Sequence, residues 1–365
     1  MRKTLIWLLA MIIIIAVPLI ALEGTLRLFF GFPHGSFNFL LSAKDGLYPR
    51  NETIIMEYGF KPYTVVTNSY GMRGKEVQLQ KTPGVKRIVT LGDSVTDGYF
   101  VANKETYPSY LEDILVSDGR KAEILSVARG GGSIDKELAM LKIIMPLKPD
   151  IVILVFVTND IFEIMGKKRS DLLYMKFRGV PAQIPEWFLT KTAIGELIGD
   201  IKLRIKYKNY KLFKRGQKGG ERESVLDRLG RRYDENVALF KKTTVVSDGK
   251  VLNEPFTCET ENAILNYLAA LDGMKSFCAA NDTRLVLAYF PSYSQVYDPT
   301  VTMKMRDVLK EECGKLSIPF RDLTGAFRAV GNGKVLYFAP FDFHCNAEGN
   351  KLIASEIAEL VKSYL

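Results

Sequence analysis

The chain has 365 residues, 47% hydrophobic and 25% charged, a globular composition long enough for one large domain or two ordinary ones. Its net charge of +9 is uneven: Lys167–Lys242 carries 20 Lys and Arg against 9 Asp and Glu, so the remainder is slightly acidic. Two histidines in all and no C-x-x-C pair disfavour a metal site, and no cofactor is expected.

Thr4–Leu22 contains no charged residue. As a helix these 19 residues reach about 28 Å, enough for a hydrocarbon core. Arg2 and Lys3 precede the run with no acid before it, which favours an inside amino terminus and an extracytoplasmic body at the cell membrane. The rival is a cleaved signal peptide. The run is longer than a usual h-region and no clear A-x-A site follows, so a retained anchor over 1–22 is preferred. Pro18 is tolerable in a membrane helix.

Residues 23–80 read as a juxtamembrane connector with Gly, Pro and aromatic residues. It holds His34, which has no acid within reach along the chain and reads as an interfacial residue. It ends in the turn-rich stretch Asn68–Gly74. The body, 81–365, starts with Lys86–Gly98. Arg87–Leu91 is a buried strand by its β-branched apolar residues, and it runs into Gly92-Asp93-Ser94. A serine behind a glycine at the end of a buried strand projects from the carboxyl edge of a sheet, the usual ligand edge of an open α/β fold. It can offer both a hydroxyl and a backbone N–H. By itself the tripeptide is equally an ordinary turn.

Strand and helix then alternate. Thr106–Val116 is helix, Glu123–Ala128 strand, Asp135–Met145 helix and Asp150–Val157 an uninterrupted apolar strand, as expected when both faces are covered. After 161–255 come a helix over Glu259–Ala280, a strand over Arg284–Phe290, a helix over Val301–Leu316, a short strand over Pro319–Leu323 and a closing helix over Ala347–Tyr364 capped by Asn346. The alternation predicts a parallel, five-stranded sheet with helices on both sides.

The interruption, Ile161–Pro255, is about 95 residues of amphipathic and basic pieces with a loose Gly216–Gly220 stretch, read as mainly helical. It is either a lid or partner surface beside the site or a basic helical decoration. Runs such as Lys206-Tyr207-Lys208-Asn209-Tyr210-Lys211 could bind nucleic acid. Beside a membrane, 167–242 more simply suits anionic lipid or glycan, and the outside location disfavours nucleic acid. Cys258, Cys278, Cys313 and Cys345 permit disulfides in an exported domain, although Cys258 and Cys278, at opposite ends of one helix, cannot pair together.

A nucleophilic serine needs a base, a group to orient the base, and donors for an oxyanion. His344, in a loop before the last helix, has Asp342 two residues away; a structural Asp–His contact is the bland alternative. Gly131 follows the second strand and Asn159 the third. The Ser94 N–H, the Gly131 N–H and the Asn159 amide could surround one oxygen, with Asp93 and Asp160 bracing the loops. Four polar elements thus end separate strands or loops at one edge.

These blocks resemble the SGNH (GDSL-type) hydrolase family. Gly92-Asp93-Ser94-Val95 is similar to its nucleophile block, and Ser126–Gly131 to its second, with Gly131 as the oxyanion glycine. Val157-Thr158-Asn159-Asp160 resembles its G-x-N-D block without the first glycine. Asp342-Phe343-His344 resembles its last block in a D-x-H form familiar in membrane-anchored bacterial members. The resemblance spans about 86–160 and 284–365 and leaves 161–255 unexplained. It implies a three-layer α/β/α, flavodoxin-like fold and acyl-ester chemistry with Ser94, Asp342 and His344 catalytic and Ser94, Gly131 and Asn159 in the oxyanion hole. The substrate would be an acyl or acetyl ester, with hydrolysis and O-acyl transfer to a cell-surface polysaccharide both open. A non-catalytic binding protein is the third reading. Oligomeric state is not readable.

Overall fold

In the computed structural model, which describes residues 2–31, 39–40, 47–56, 61–164, 174–177, 180–183, 185–201, 249–339 and 342–365, the apolar runs after Lys86 line up as one parallel sheet. His34, Lys206–Lys211 and Gly216–Gly220 lie outside the described residues. The amino-terminal run is a helix, α1 (Arg2–Phe30), which contains Pro18 and continues past Leu22. Its 29 residues span about 43 Å, and its apolar side chains are largely exposed.

The connector also contains an antiparallel hairpin, β1 (Thr53–Met56) with β2 (Tyr63–Val66). The main sheet is built from β3 (Lys86–Gly92), β4 (Ala122–Ala128) and β5 (Ile151–Phe156). The insertion adds a second antiparallel hairpin, β6 (Tyr174–Phe177) with β7 (Val180–Gln183), so it is not helical throughout. The main sheet resumes with β8 (Arg284–Tyr289) and β9 (Phe320–Asp322). Its order is β4-β3-β5-β8-β9, and every neighbouring pair is parallel. In β5 every residue of Ile-Val-Ile-Leu-Val-Phe is buried, as a central parallel strand covered on both faces requires.

Alternation sorts the side chains into two cores. Val89, Leu91, Leu125, Val127, Val152 and Leu154 pack against helices Ile134–Ile144, Cys258–Ala279 and Lys304–Lys315. On the other face, Ile88, Ile124, Ile153, Val155 and Val286 meet helices Tyr107–Ser117, Thr324–Gly331 and Ala347–Val361. The result is a three-layer α/β/α sandwich. A smaller third core joins Phe39, Tyr48, Met56, Tyr63, Val65, Phe100 and Leu189, and so ties the connector and the insertion to the carboxyl edge of the sheet.

Asn346 caps the last helix, accepting from the Glu348 and Gly349 N–H groups, which fixes where the preceding loop ends. All four cysteines are free, with Cys278, Cys313 and Cys345 buried.

Candidate active site

Gly92 closes β3 where there is no room for a side chain. A Cβ there would come within 2.3 Å of Thr96 Oγ1 and 3.3 Å of the Val155 carbonyl oxygen. The chain then turns into a four-residue helix, Ser94–Asp97, whose N-cap is Asp93: its Oδ1 accepts the Val95 N–H at 3.0 Å. Ser94 therefore sits at the first helical position, where the helix leaves N–H groups without an internal partner. Its hydroxyl projects from the carboxyl edge of the sheet.

Across this edge comes the loop before the last helix. Its stem is closed by a bridge between Tyr337 and Cys345 and by the Phe338 N–H donating to the His344 carbonyl at 2.9 Å. Inside that stem Asp342 Oδ1 accepts the His344 N–H at 3.0 Å and also contacts His344 Nδ1. The carboxylate thus fixes both the backbone and the ring of the histidine two residues on. His344 Nε2 lies 2.7 Å from Ser94 Oγ. A second contact, Ser94 Oγ to Asp93 Oδ2, is 3.3 Å. The hydroxyl has one proton, and the shorter contact to the imidazole is the better hydrogen bond.

The ring of His344 packs beside Tyr99, at 5.1 Å between centroids, and edge-on to Phe100 at 5.8 Å. Burial pulls the imidazole pKa down, but the charge and hydrogen bond of Asp342, with Asp93 and Asp97 behind them, overcome this and hold it above its ordinary value. A neutral imidazole facing a hydroxyl, with a carboxylate on its far nitrogen, can accept the hydroxyl proton and be stabilised once charged.

The sheet order sets β4 and β5 on either side of β3, so the loops after all three strands are neighbours. Asn159 opens the helix Asn159–Ile164, and its Nδ2 donates to Asp93 Oδ2 at 2.9 Å. Gly131 follows β4 with φ +75°, and a Cβ on it would be 4.0 Å from Glu163 Oε1. A left-handed conformation of this kind favours glycine. Gly130 is packed under Tyr99, whose hydroxyl oxygen is 2.1 Å from the position a Cβ would take. Asp160 Oδ2 accepts the Val157 N–H at 3.0 Å. Both aspartates brace backbone turns.

Two features behind the site were not read from the sequence. Arg73, from the turn-rich stretch before β3, is buried and donates to the carbonyls of Asp97, Gly98 and Val101 and to Asn103 Oδ1. The Tyr48 hydroxyl donates to Asp97 Oδ2. These groups hold the chain leaving the serine helix. Burial raises the Asp97 pKa even though Arg73 and Tyr48 oppose it. The second feature is Glu137, fully buried with neither carboxylate oxygen hydrogen-bonded. Burial and the nearby Asp93 charge hold its carboxyl well above the usual range. Asp160 is raised likewise, by burial and then by Glu137 and Asp93.

The sequence profile of the GDSL-like Lipase/Acylhydrolase family matches residues 90–352, a span running from β3 into the last helix. The chain belongs to this family. Membership sets it among ester hydrolases and acyl-transferring enzymes. Among solved structures it is similar to that of TesA, at 11% identity and TM-score 0.43 over 77% of this chain and 100% of that one. It is similar to the acetyl xylan esterase AlAXEase, at 12% and 0.42 over 75% and 99%. It is also similar to a catalytic mutant of Axe2, an acetylxylan esterase from Geobacillus stearothermophilus, at 15% and 0.43 over 77% and 96%. No curated protein matches the chain. The GDSL match includes Ser94, Gly131, Asn159, Asp342 and His344 and runs across the insertion.

Proposed function

We propose that this GDSL-family protein is a membrane-anchored serine esterase acting on acyl or acetyl esters through Ser94, His344 and Asp342. The observation that carries the reading is the 2.7 Å contact of Ser94 Oγ with His344 Nε2, with Asp342 on the opposite ring nitrogen. Ser94 Oγ attacks the ester carbonyl carbon while its proton passes to His344 Nε2. Asp342 holds the imidazolium. The carbonyl oxygen becomes an oxyanion, for which the Ser94 and Gly131 N–H groups and the Asn159 amide are the donors. As the tetrahedral intermediate collapses, the C–O bond to the alcohol breaks and His344 returns its proton to the leaving oxygen. Water, deprotonated by His344, then attacks the acyl-Ser94, and the serine leaves with its proton.

The N-terminal apolar helix supports anchoring at the cell membrane, with the body extracytoplasmic. A glycan hydroxyl in place of water would give O-acyl transfer through the same acyl-enzyme.

The test uses the full chain in detergent with short-chain aryl esters and a fluorophosphonate. Turnover and a single covalent adduct on Ser94, both lost in Ser94→Ala, are expected. Undiminished turnover by Ser94→Ala in a clean preparation would overturn the assignment. Adding acetylated and free polysaccharide to the same assay separates released acid from acylated sugar.

A further inference from the structure

Residues 185–201 form two short helices, Glu186–Lys191 and 193–201, joined at Thr192. The turn between them is tight: a Cβ on Gly195 would fall 2.0 Å from the Phe188 carbonyl oxygen. Thr192 Oγ1 accepts the Gly195 N–H at 2.9 Å. The two N–H groups before it, of Ala193 and Ile194, donate to Oε1 and Oε2 of Glu23 at 3.0 and 3.1 Å. Glu23 belongs to α1. One turn further along α1, Arg27 donates to the Lys191 carbonyl at 2.8 Å and to Glu23 Oε1 at 2.7 Å. An acid from α1 therefore sits on the positive end of one helix and a base on the negative end of the other, the favourable sense for both helix dipoles.

Glu23 is the first charged residue after the uncharged run Thr4–Leu22. The two helices are thus fastened to α1 where its uncharged run ends. Trp187, on the first of them, is exposed to 64%, Ile201 on the second is exposed too, and α1 itself continues with exposed Leu28, Phe29 and Phe30. Exposed apolar side chains on elements bonded to one another, a tryptophan among them, with Lys191 and Arg27 alongside, have the composition of a bilayer interface. On the inner side, Phe188 and Leu189 pack in the third core with Phe100, the residue that meets the His344 ring edge-on.

We propose that residues 185–201 lie in the head-group layer of the bilayer, clamped there by Glu23 and Arg27, and so hold the active-site wall one helix thickness from the membrane surface. This rests on the reading of α1 as a retained anchor.

The chain has two tryptophans, Trp7 and Trp187, so Trp7→Phe leaves Trp187 as its single indole. The full-length variant is reconstituted in vesicles of phosphatidylcholine and phosphatidylglycerol. The phosphatidylcholine is brominated either near the acyl carbonyls or near the chain ends, and intact mass is recorded alongside. Loss of most Trp187 emission with the shallow bromines, a smaller loss with the deep ones, and recovery of emission on adding Glu23→Ala and Arg27→Ala are expected. An indole quenched by aqueous iodide and by neither lipid, on a chain of full mass, overturns the surface assignment and leaves the anchor reading standing. Unchanged quenching in the Glu23→Ala, Arg27→Ala variant overturns the clamp. A mass lacking α1 overturns the anchor reading and this inference with it.

Discussion

Asn159 Nδ2 donates to Asp93 Oδ2 at 2.9 Å, and Asp93 is the residue immediately before Ser94. One amide hydrogen of Asn159 is thereby spent on aiming the group, and the other is the one the proposed mechanism uses for the oxyanion. Asp93 serves both loops, since its other oxygen caps the serine helix.

Asn159→Ala should lower kcat by about 10²–10³ with little change in KM, the usual cost of one oxyanion donor. Asp93→Ala should also lower kcat, through the same amide. The two losses should be strongly non-additive in a double-mutant cycle. Additive losses would separate Asp93 from Asn159.

The pH profile follows from the state of His344. In the proposed mechanism the neutral imidazole is the base, and its pKa is held above the ordinary value, so kcat/KM should rise with pH through an inflection above about 6.5. Removing the Asp342 charge removes the largest raising influence, so Asp342→Asn should move the inflection to lower pH. It should also cut kcat by an order of 10⁴, as when a triad carboxylate is lost. An inflection that stayed in place would mean that another group titrates.

Among the described residues, Arg73 is the one cation within 4 Å of Asp97, with Nη1 3.9 Å from Oδ1, and both side chains are almost wholly buried. Arg73→Ala takes the nearest cation from that carboxylate, leaving it the Tyr48 hydroxyl, and leaves three carbonyls short of a donor. A loss of about 3–5 kcal/mol in urea unfolding is expected. Arg73→Ala with Asp97→Asn should recover part of it.

Glu137 works against the fold at neutral pH. Its carboxyl is raised in the folded state, so the native protein binds more protons than the unfolded chain between the two pKa values. Stability is then lost as pH rises above about 4.3, the unfolded value. Glu137→Gln should raise the unfolding midpoint at pH 7, change it little near pH 4, and flatten the slope between them. A variant less stable at pH 7 than the parent would show that the charge is compensated.

The body of the fold was legible because its strands are runs such as Ile151–Phe156, buried on both faces, and its helices carry clear stops. Asn346 was found as a cap from sequence alone and accepts two N–H groups. The family blocks and the scarcity of histidine point to Ser94 and His344, and the structure sets the two side chains 2.7 Å apart. Hairpins β1–β2 and β6–β7 were missed because four-residue strands carry too little pattern. In β1 an isoleucine, Ile55, even faces outward at 60% exposure. The Arg73–Asp97–Tyr48 network was illegible for another reason: its members lie 24 and 49 positions apart and meet only through tertiary packing. Glu137 did leave a signal. It falls between Ile134 and Leu141 on the buried stripe of its helix, where a charged residue breaks the apolar pattern.

The loop stem that joins Tyr337 to Cys345 has a temporal meaning. His344 and Asp342, the proposed base and its orienting acid, are made together two residues apart, while Ser94 lies 250 positions earlier. A ribosome finishes Ser94 long before residue 344 exists. On that reading the serine is an ordinary hydroxyl until the histidine reaches it. The proposed mechanism then predicts that reactivity begins when the last helix docks and brings His344 to Ser94. Labelling of Ser94 by a fluorophosphonate is therefore also a clock for the final closing step of folding.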